Sequence, residues 1–321
     1  MMQTFHDLVL GKRTPCLCFL LSLTLVACSN TPNKGMPVEP SHEQQAQAEN
    51  EWIAPKKALP NNSISYQLYD TPARGKQTQG SYLIYLPDGY EADSSKRYPV
   101  IYWLHGGFGS QYEGLFAMQN LSQAMAEKKM PEAIIVAPHL LPMGWYVNSI
   151  DGKRPLETIM VQNLVPHIDA KYRTKNDKRY RAVEGMSMGG YGALRFGLKY
   201  PELFGVVSAY APSILRAMSQ EPSYRTLSTF GTDERDFYAQ SPWYLFEQKG
   251  SQVASAKSTI RIVTAGKDPR LNETLADFVG MLKQKNIEVQ TQEAPQAGHV
   301  YKQMIEELGD DNFAFWQKAF Q

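Results

Sequence analysis

The chain predicts an α/β fold, a mostly parallel, doubly wound sheet with helices on both faces, and three observations carry that reading. Apolar runs alternate with amphipathic ones from Ser63 onward, the order that builds parallel strands joined by crossover helices. Val100-Ile101-Tyr102-Trp103-Leu104 and Ala133-Ile134-Ile135-Val136-Ala137 are apolar throughout, as strands covered on both faces are. The run Arg181-Ala182-Val183-Glu184-Gly185-Met186-Ser187-Met188-Gly189-Gly190-Tyr191 sets Gly-x-Ser-x-Gly between a strand-like and a helix-like stretch.

In chain order, Ser81–Leu86 reads as a strand, and the turn Pro87-Asp88-Gly89 after it predicts an antiparallel edge. Val100–Leu104 follows, then a helix over Leu115–Lys129 and the strand Ala133–Ala137. Helical spacing of Ile159, Leu164, Val165 and Ile168 predicts a helix over Leu156–Tyr172 despite Pro166. Tyr180–Glu184 leads into the serine turn and Tyr191–Lys199 leaves it as a helix. Val206–Tyr210, Thr259–Val263 and Ile287–Val289 are strands, Leu271–Lys285 a helix, and one last helix spans Val300–Phe320. The polar, aromatic segment Ser213–Ser258 reads either as a small cap or as a surface excursion.

The N-terminus is expected to lie outside this fold. Lys12 and Arg13 precede the apolar run Cys16–Ala27, too short to span a bilayer comfortably but suited to a secretory signal. The run ends in Leu25-Val26-Ala27-Cys28, which resembles the lipobox of bacterial lipoproteins. That resemblance implies cleavage before Cys28, acylation of Cys28 and membrane attachment; Ser29 after it favours the outer membrane over the inner. The expected organisation is a signal peptide over 1–27, a lipidated cysteine and flexible tether over 28–62, and one folded domain over 63–321. All three cysteines, Cys16, Cys18 and Cys28, fall in or next to the leader, so the domain has no disulfide, thiol nucleophile or zinc cluster. A formal net charge of +1, with no Lys/Arg-rich run, gives no reason to expect nucleic acid.

A serine on a sharp strand-to-helix turn needs a base, because its hydroxyl is a poor nucleophile alone. His105, His139 and His299 follow predicted strand ends or enter a helix by a loop, and loops after strand C-termini share one rim. The acid selects among them. Asp268, in Ala265-Gly266-Lys267-Asp268-Pro269, follows a strand, and Ser187, Asp268 and His299 stand in serine–acid–histidine order. His105 is expected to order its loop, and His167 to be structural. Oxyanion donors are expected at Met188 N–H and in His105-Gly106-Gly107-Phe108-Gly109, at Gly107 or alternatively Phe108.

With these residues in view, the chain resembles the esterase family of α/β-hydrolases, which includes S-formylglutathione hydrolases, feruloyl and acetyl-xylan esterases, siderophore esterases and mycolyltransferases. The matching stretches are Tyr98–Gly107, Gly144-Trp145-Tyr146-Val147-Asn148-Ser149, Gly185–Leu194 and Tyr200–Phe204, with the loops around Asp268 and His299. The resemblance implies the α/β-hydrolase fold, the same triad and oxyanion roles, and no metal or organic cofactor. The resulting expectation is an exported serine carboxylesterase working through an acyl-enzyme, with Trp145, Tyr146 and Asn148 lining the substrate pocket. The alternatives are an acyltransferase, in which an alcohol replaces water, and a non-catalytic envelope binding protein that keeps the fold. The ester itself and the oligomeric state stay open.

Overall fold

The computed structural model describes residues 52–75, 78–220, 224–268 and 271–321. The leader, Cys28 and the tether up to residue 51 lie outside the described residues. Eight strands form one sheet in the order β1-β2-β4-β3-β5-β6-β7-β8. These are β1 (Ile64–Asp70), β2 (Gln79–Tyr85), β3 (Val100–Leu104), β4 (Ile134–Pro138), β5 (Arg181–Met186), β6 (Val206–Tyr210), β7 (Thr259–Ala265) and β8 (Val289–Ala294). The pairs β1·β2 and β2·β4 are antiparallel and all others parallel, so the predicted antiparallel edge is there.

Two apolar layers cover the sheet, and alternation along β5 shows why. Val183 packs into one layer with Leu194, Phe196 and Leu198, while Ala182 and Met186 face the other with Met118, Phe313 and Trp316. Burying both faces is what the continuous apolar runs of β3 and β4 require. The helices are α1 (Gly114–Ala126), α2 (Val165–Lys171), α3 (Met188–Lys199), α4 (Tyr224–Phe230), α5 (Glu234–Gln240), α6 (Pro242–Ala256), α7 (Asn272–Gln284), α8 (Tyr301–Leu308) and α9 (Asp310–Ala319).

Several elements differ from the sequence reading. The predicted helix over Leu156–Tyr172 forms without a break from Leu156 to Lys171, but with a wider, π-helical turn over Ile159–Leu164 just ahead of Pro166, a way of absorbing a residue that has no N–H. The last helix is two, broken at Gly309, whose φ of 52° and ψ of −128° no helix continues through. The last strand lies at Val289–Ala294, later than Ile287–Val289, because Ile287 is buried as part of the turn after α7. The segment after Ser213 folds into α4, α5 and α6; Tyr191 Oη donates to Gln240 O at 2.7 Å, tying that layer to α3.

The tether reading is corrected at its C-terminal end. Ala54 is buried and its N–H donates to Ser81 Oγ at 2.9 Å. Tyr66 Oη donates to Ala54 O and Tyr112 Oη to Pro55 O, each at 2.8 Å, while Trp52 lies 3.8 Å from the Arg74 guanidinium. A stretch without apolar periodicity is thus docked by backbone groups, a signal that side-chain pattern does not carry.

Candidate active site

The serine turn has the geometry its glycines permit. Ser187 stands between β5 and α3 with φ 57° and ψ −117°, a conformation costly for any residue with a side chain and held here from two sides. Its N–H donates to Tyr210 O at 2.9 Å and its carbonyl accepts from Ser213 N–H at 3.1 Å. A Cβ on Gly189 would stand 2.1 Å from Leu104 O, and one on Gly185 would stand 2.5 Å from the Gly189 carbonyl carbon and oxygen. Both positions therefore exclude a side chain, which is the physical content of the Gly-x-Ser-x-Gly spacing.

Asp268 and His299 meet as the sequence order predicts. His299 Nδ1 donates to Asp268 Oδ2 at 2.5 Å, and the aspartate is buried while the imidazole is partly open. The backbone laces their two loops together: Gly266 N–H donates to Ala294 O at 2.9 Å and Lys267 N–H to Ala297 O at 3.0 Å. Ser187 and His299 both line the same two cavities. No hydrogen bond joins the two side chains here; Ser187 Oγ lies 3.2 Å from Ser213 Oγ. Ser213 was not foreseen, although it follows the end of β6 and so sits on the rim where strand ends converge.

The other histidines among the described residues have different surroundings. His105 Nδ1 donates to Gly106 O at 2.9 Å, so it orders its loop as expected. Burial, helped by the neighbouring His139, pushes the His105 imidazole down to about 3, and it is neutral at any ordinary pH. His139 is buried with its ring centroid 6.0 Å from that of His105, and His167 bonds the Tyr82 hydroxyl at 3.0 Å.

The oxyanion side narrows one open choice. Phe108 N–H is spent on Pro142 O at 2.7 Å. Neither Gly107 N–H nor Met188 N–H has a hydrogen-bond partner among the described residues, and Met188 is the first residue of α3. A helix N-terminus with free N–H groups favours a developing negative charge. Glu113 Oε2 accepts from Gly106 N–H at 3.1 Å and so fixes the loop from behind.

Gly107, Phe108, Met143, Trp145, Leu215 and Leu271 wall a cavity of about 580 Å³ that opens on Ser187 and His299. The second cavity, about 350 Å³, is lined by Trp103, Glu113, Phe116, Tyr301 and Lys302 besides Ser187 and His299. Trp145 lines the site as expected, but Tyr146 and Asn148 do not. Tyr146 is fully buried, its hydroxyl spent on His105 O at 2.7 Å. Asn148 points away and pairs with Thr158, donating to its Oγ1 at 2.8 Å and accepting its N–H at 3.1 Å. Consecutive positive φ values at Trp145 and Tyr146, 54° and 56°, turn the chain so that only the first faces the cavity.

Among the described residues no group of three or more His, Cys, Asp or Glu side chains is placed to hold a metal ion. The family profile for esterases matches residues 77–321. The chain belongs to the esterase family. An esterase of Mycobacterium tuberculosis is 38% identical over 137 residues, covering 41% of this chain and 29% of the relative. An endo-1,4-β-xylanase/feruloyl esterase of Xylanibacter ruminicola is 30% identical over 167 residues, 48% of this chain and 22% of the relative. The chain thus spans under a third of the length of these curated relatives. A solved ferulic acid esterase superposes with a TM-score of 0.68 at 20% identity, covering 81% of this chain and all of that one, which confirms the α/β-hydrolase fold.

Proposed function

We propose that the chain is a carboxylic-ester hydrolase that works through an acyl-enzyme on Ser187. The observation that carries this is the Asp268–His299 pair, bonded at 2.5 Å and opening on the cavity of a strained, glycine-flanked serine. Ser187 Oγ attacks the ester carbonyl as His299 Nε2 takes its proton, and Asp268 keeps the Nδ1–H tautomer and stabilises the imidazolium. The tetrahedral oxyanion sits between Gly107 N–H and Met188 N–H. Collapse returns the proton to the leaving alcohol, and water, activated by the same imidazole, releases the acid.

The larger cavity mixes polar groups (Ser213, Gln220) with Phe108, Met143, Trp145, Leu215 and Leu271; that apolar part supports an aromatic acyl group carrying polar substituents, and the feruloyl esterase named among the relatives points the same way. The lipobox-like Leu25-Val26-Ala27-Cys28 supports an exported enzyme anchored through Cys28 at the cell envelope, the outer membrane more than the inner. Hydrolysis of p-nitrophenyl esters, with fluorophosphonate labelling, tests the chemistry. Ser187→Ala is expected to lose activity by about 10³-fold or more and all labelling. Retained activity in that variant, or none in the parent, would overturn the reading. Metabolic incorporation of a palmitate analogue, lost in Cys28→Ala, tests the anchor.

A further inference from the structure

Behind the site lies a buried polar cluster that the proposed chemistry leaves unused. Glu184, three residues before Ser187 on β5, accepts from the Tyr301 hydroxyl at 2.6 Å on Oε1 and from Ser208 Oγ at 2.8 Å on Oε2. Arg261 on β7 faces the same Oε2 at 3.3 Å, and the two charged side chains are 0% and 1% exposed. Arg261 also donates to Tyr210 Oη at 2.8 Å and to Asn312 Oδ1 at 2.9 Å. A buried ion pair is weak evidence for stability, since an apolar replacement of similar volume is often as stable. Its placement is the informative part. β5 ends at the nucleophile, β7 leads to Asp268, and Tyr301 is two residues after His299.

The loop carrying His299 is tied ahead of the histidine, by Lys267 N–H on Ala297 O and Gln296 N–H on the Glu307 carboxylate, and at the histidine by Asp268; the remaining ties are local. Gly298 N–H reaches Gln303 Oε1 and Val300 N–H reaches Gly298 O, both within the same short segment, and Val300 is exposed. Downstream of His299, Tyr301 is the first residue whose side chain bonds to a central strand. Its ring is held edge-on by Trp103 at 5.4 Å and Tyr210 at 4.9 Å, so the hydroxyl has one direction to point.

We propose that Tyr301, bonded to Glu184 and through it to Arg261, is a positioning residue that sets the His299 imidazole against Ser187. The device uses one carboxylate to join the three segments that carry nucleophile, base and acid. It rests on the triad reading above. The small misplacement released by breaking it acts on proton transfer; Tyr301 lines the smaller cavity beside Ser187, while the larger one, where the acyl group is placed, is walled by other residues apart from Ser187 and His299.

The test is steady-state kinetics on a p-nitrophenyl ester for Tyr301→Phe, with Tyr200→Phe as the matched loss. Tyr200 donates to Glu157 Oε1, an equivalent tyrosine–glutamate bond outside the site. Tyr301→Phe is expected to lower kcat about tenfold or more with KM within about twofold, and to slow fluorophosphonate labelling in parallel. Tyr200→Phe is expected to keep kcat. Unchanged kcat in Tyr301→Phe, or an equal loss in Tyr200→Phe, overturns the proposal. If Tyr301→Phe does not fold, Glu184→Gln serves: its amide cannot accept from Tyr301 and face Arg261 and Ser208 equally well, so kcat should fall at constant KM, and an unchanged kcat overturns the proposal. A Ser187→Ala variant that stays active marks failure of the triad reading itself; with that variant inactive, an unaltered Tyr301→Phe refutes the positioning role alone.

Discussion

Glu184 and Glu157 are both buried glutamates, yet their surroundings push their carboxyls in opposite directions. Burial would raise Glu157, but Arg195, Lys199 and the Tyr200 hydroxyl outweigh it and hold the carboxyl below the usual carboxylate range. Burial wins at Glu184 and pushes it above that range, against Arg261 and the hydroxyls of Tyr301 and Ser208. The difference is the number of cations and the reach of water. Glu157 has two cations, one of them Lys199, whose side chain is 30% exposed; Glu184 has Arg261, and both of those side chains are shut off from the surface. A buried acid with two cations behaves as a structural tie; a buried acid with one is a compromise that calls for another reason.

The largest expected effect separates the two by deletion. Arg261→Met leaves Glu184 buried without its cation and should cost about 3–5 kcal/mol in urea unfolding. Arg195→Met should cost clearly less, because Lys199 stays at Glu157; equal or reversed losses would break the comparison. The next contrast is pH dependence, with opposite signs. Glu157, lowered in the folded state, contributes stability that is full above its unfolded pKa and is lost as pH falls through the lowered value. Glu184, raised in the folded state, contributes stability that is full below its unfolded pKa and is lost as pH rises through the raised value. Glu157→Gln should therefore lose most relative to the parent near neutrality, and Glu184→Gln should compare better there than in mild acid. Urea midpoints followed from mild acid to neutrality check both signs.

A smaller step tests single donors. Ser208→Ala removes one hydroxyl from the Glu184 carboxylate and should cost about 1.5–3 kcal/mol by the same unfolding measurement, less than loss of Arg261. At the bottom of the scale stands the exposed Arg216–Asp277 pair, whose side chains are more than half exposed. Asp277→Asn should shift stability by less than about 1 kcal/mol, and a larger shift would mean that exposure, the axis of the whole comparison, is not what sets these energies.

Much of this molecule could be read from the sequence, for identifiable reasons. The elbow was legible because glycine is the residue that fits beside Leu104 O and the Gly189 carbonyl, and that exclusion leaves a mark in the alphabet. Asp268 and His299 were legible because strand ends share a rim, so chain order sufficed to pair them. Gly107 over Phe108 was not, since the choice turns on the Phe108 N–H being spent on Pro142 O. Tyr146 and Asn148 misled because they stand beside Trp145 in the same stretch, while positive φ at two successive residues sends their side chains elsewhere. The Glu184 cluster was hidden for a different reason: Ser208 and Arg261 come from two strands and Tyr301 and Asn312 from two helices far along the chain, and a lone charge inside an apolar run names no partner.

The docked stretch before β1 moves the border of autonomous folding. Tyr66 and Tyr112 find acceptors in the backbone of Ala54 and Pro55, and Ser81 Oγ takes the Ala54 N–H. A fragment cut at Ser63 would begin with two tyrosine hydroxyls stripped of their acceptors and a bare patch beside the turn that carries Glu113. Any shortened version meant to retain the native rim around Ser187 should keep Trp52 through Lys57, so the smallest self-sufficient piece of this protein starts earlier than its hydrophobic rhythm does.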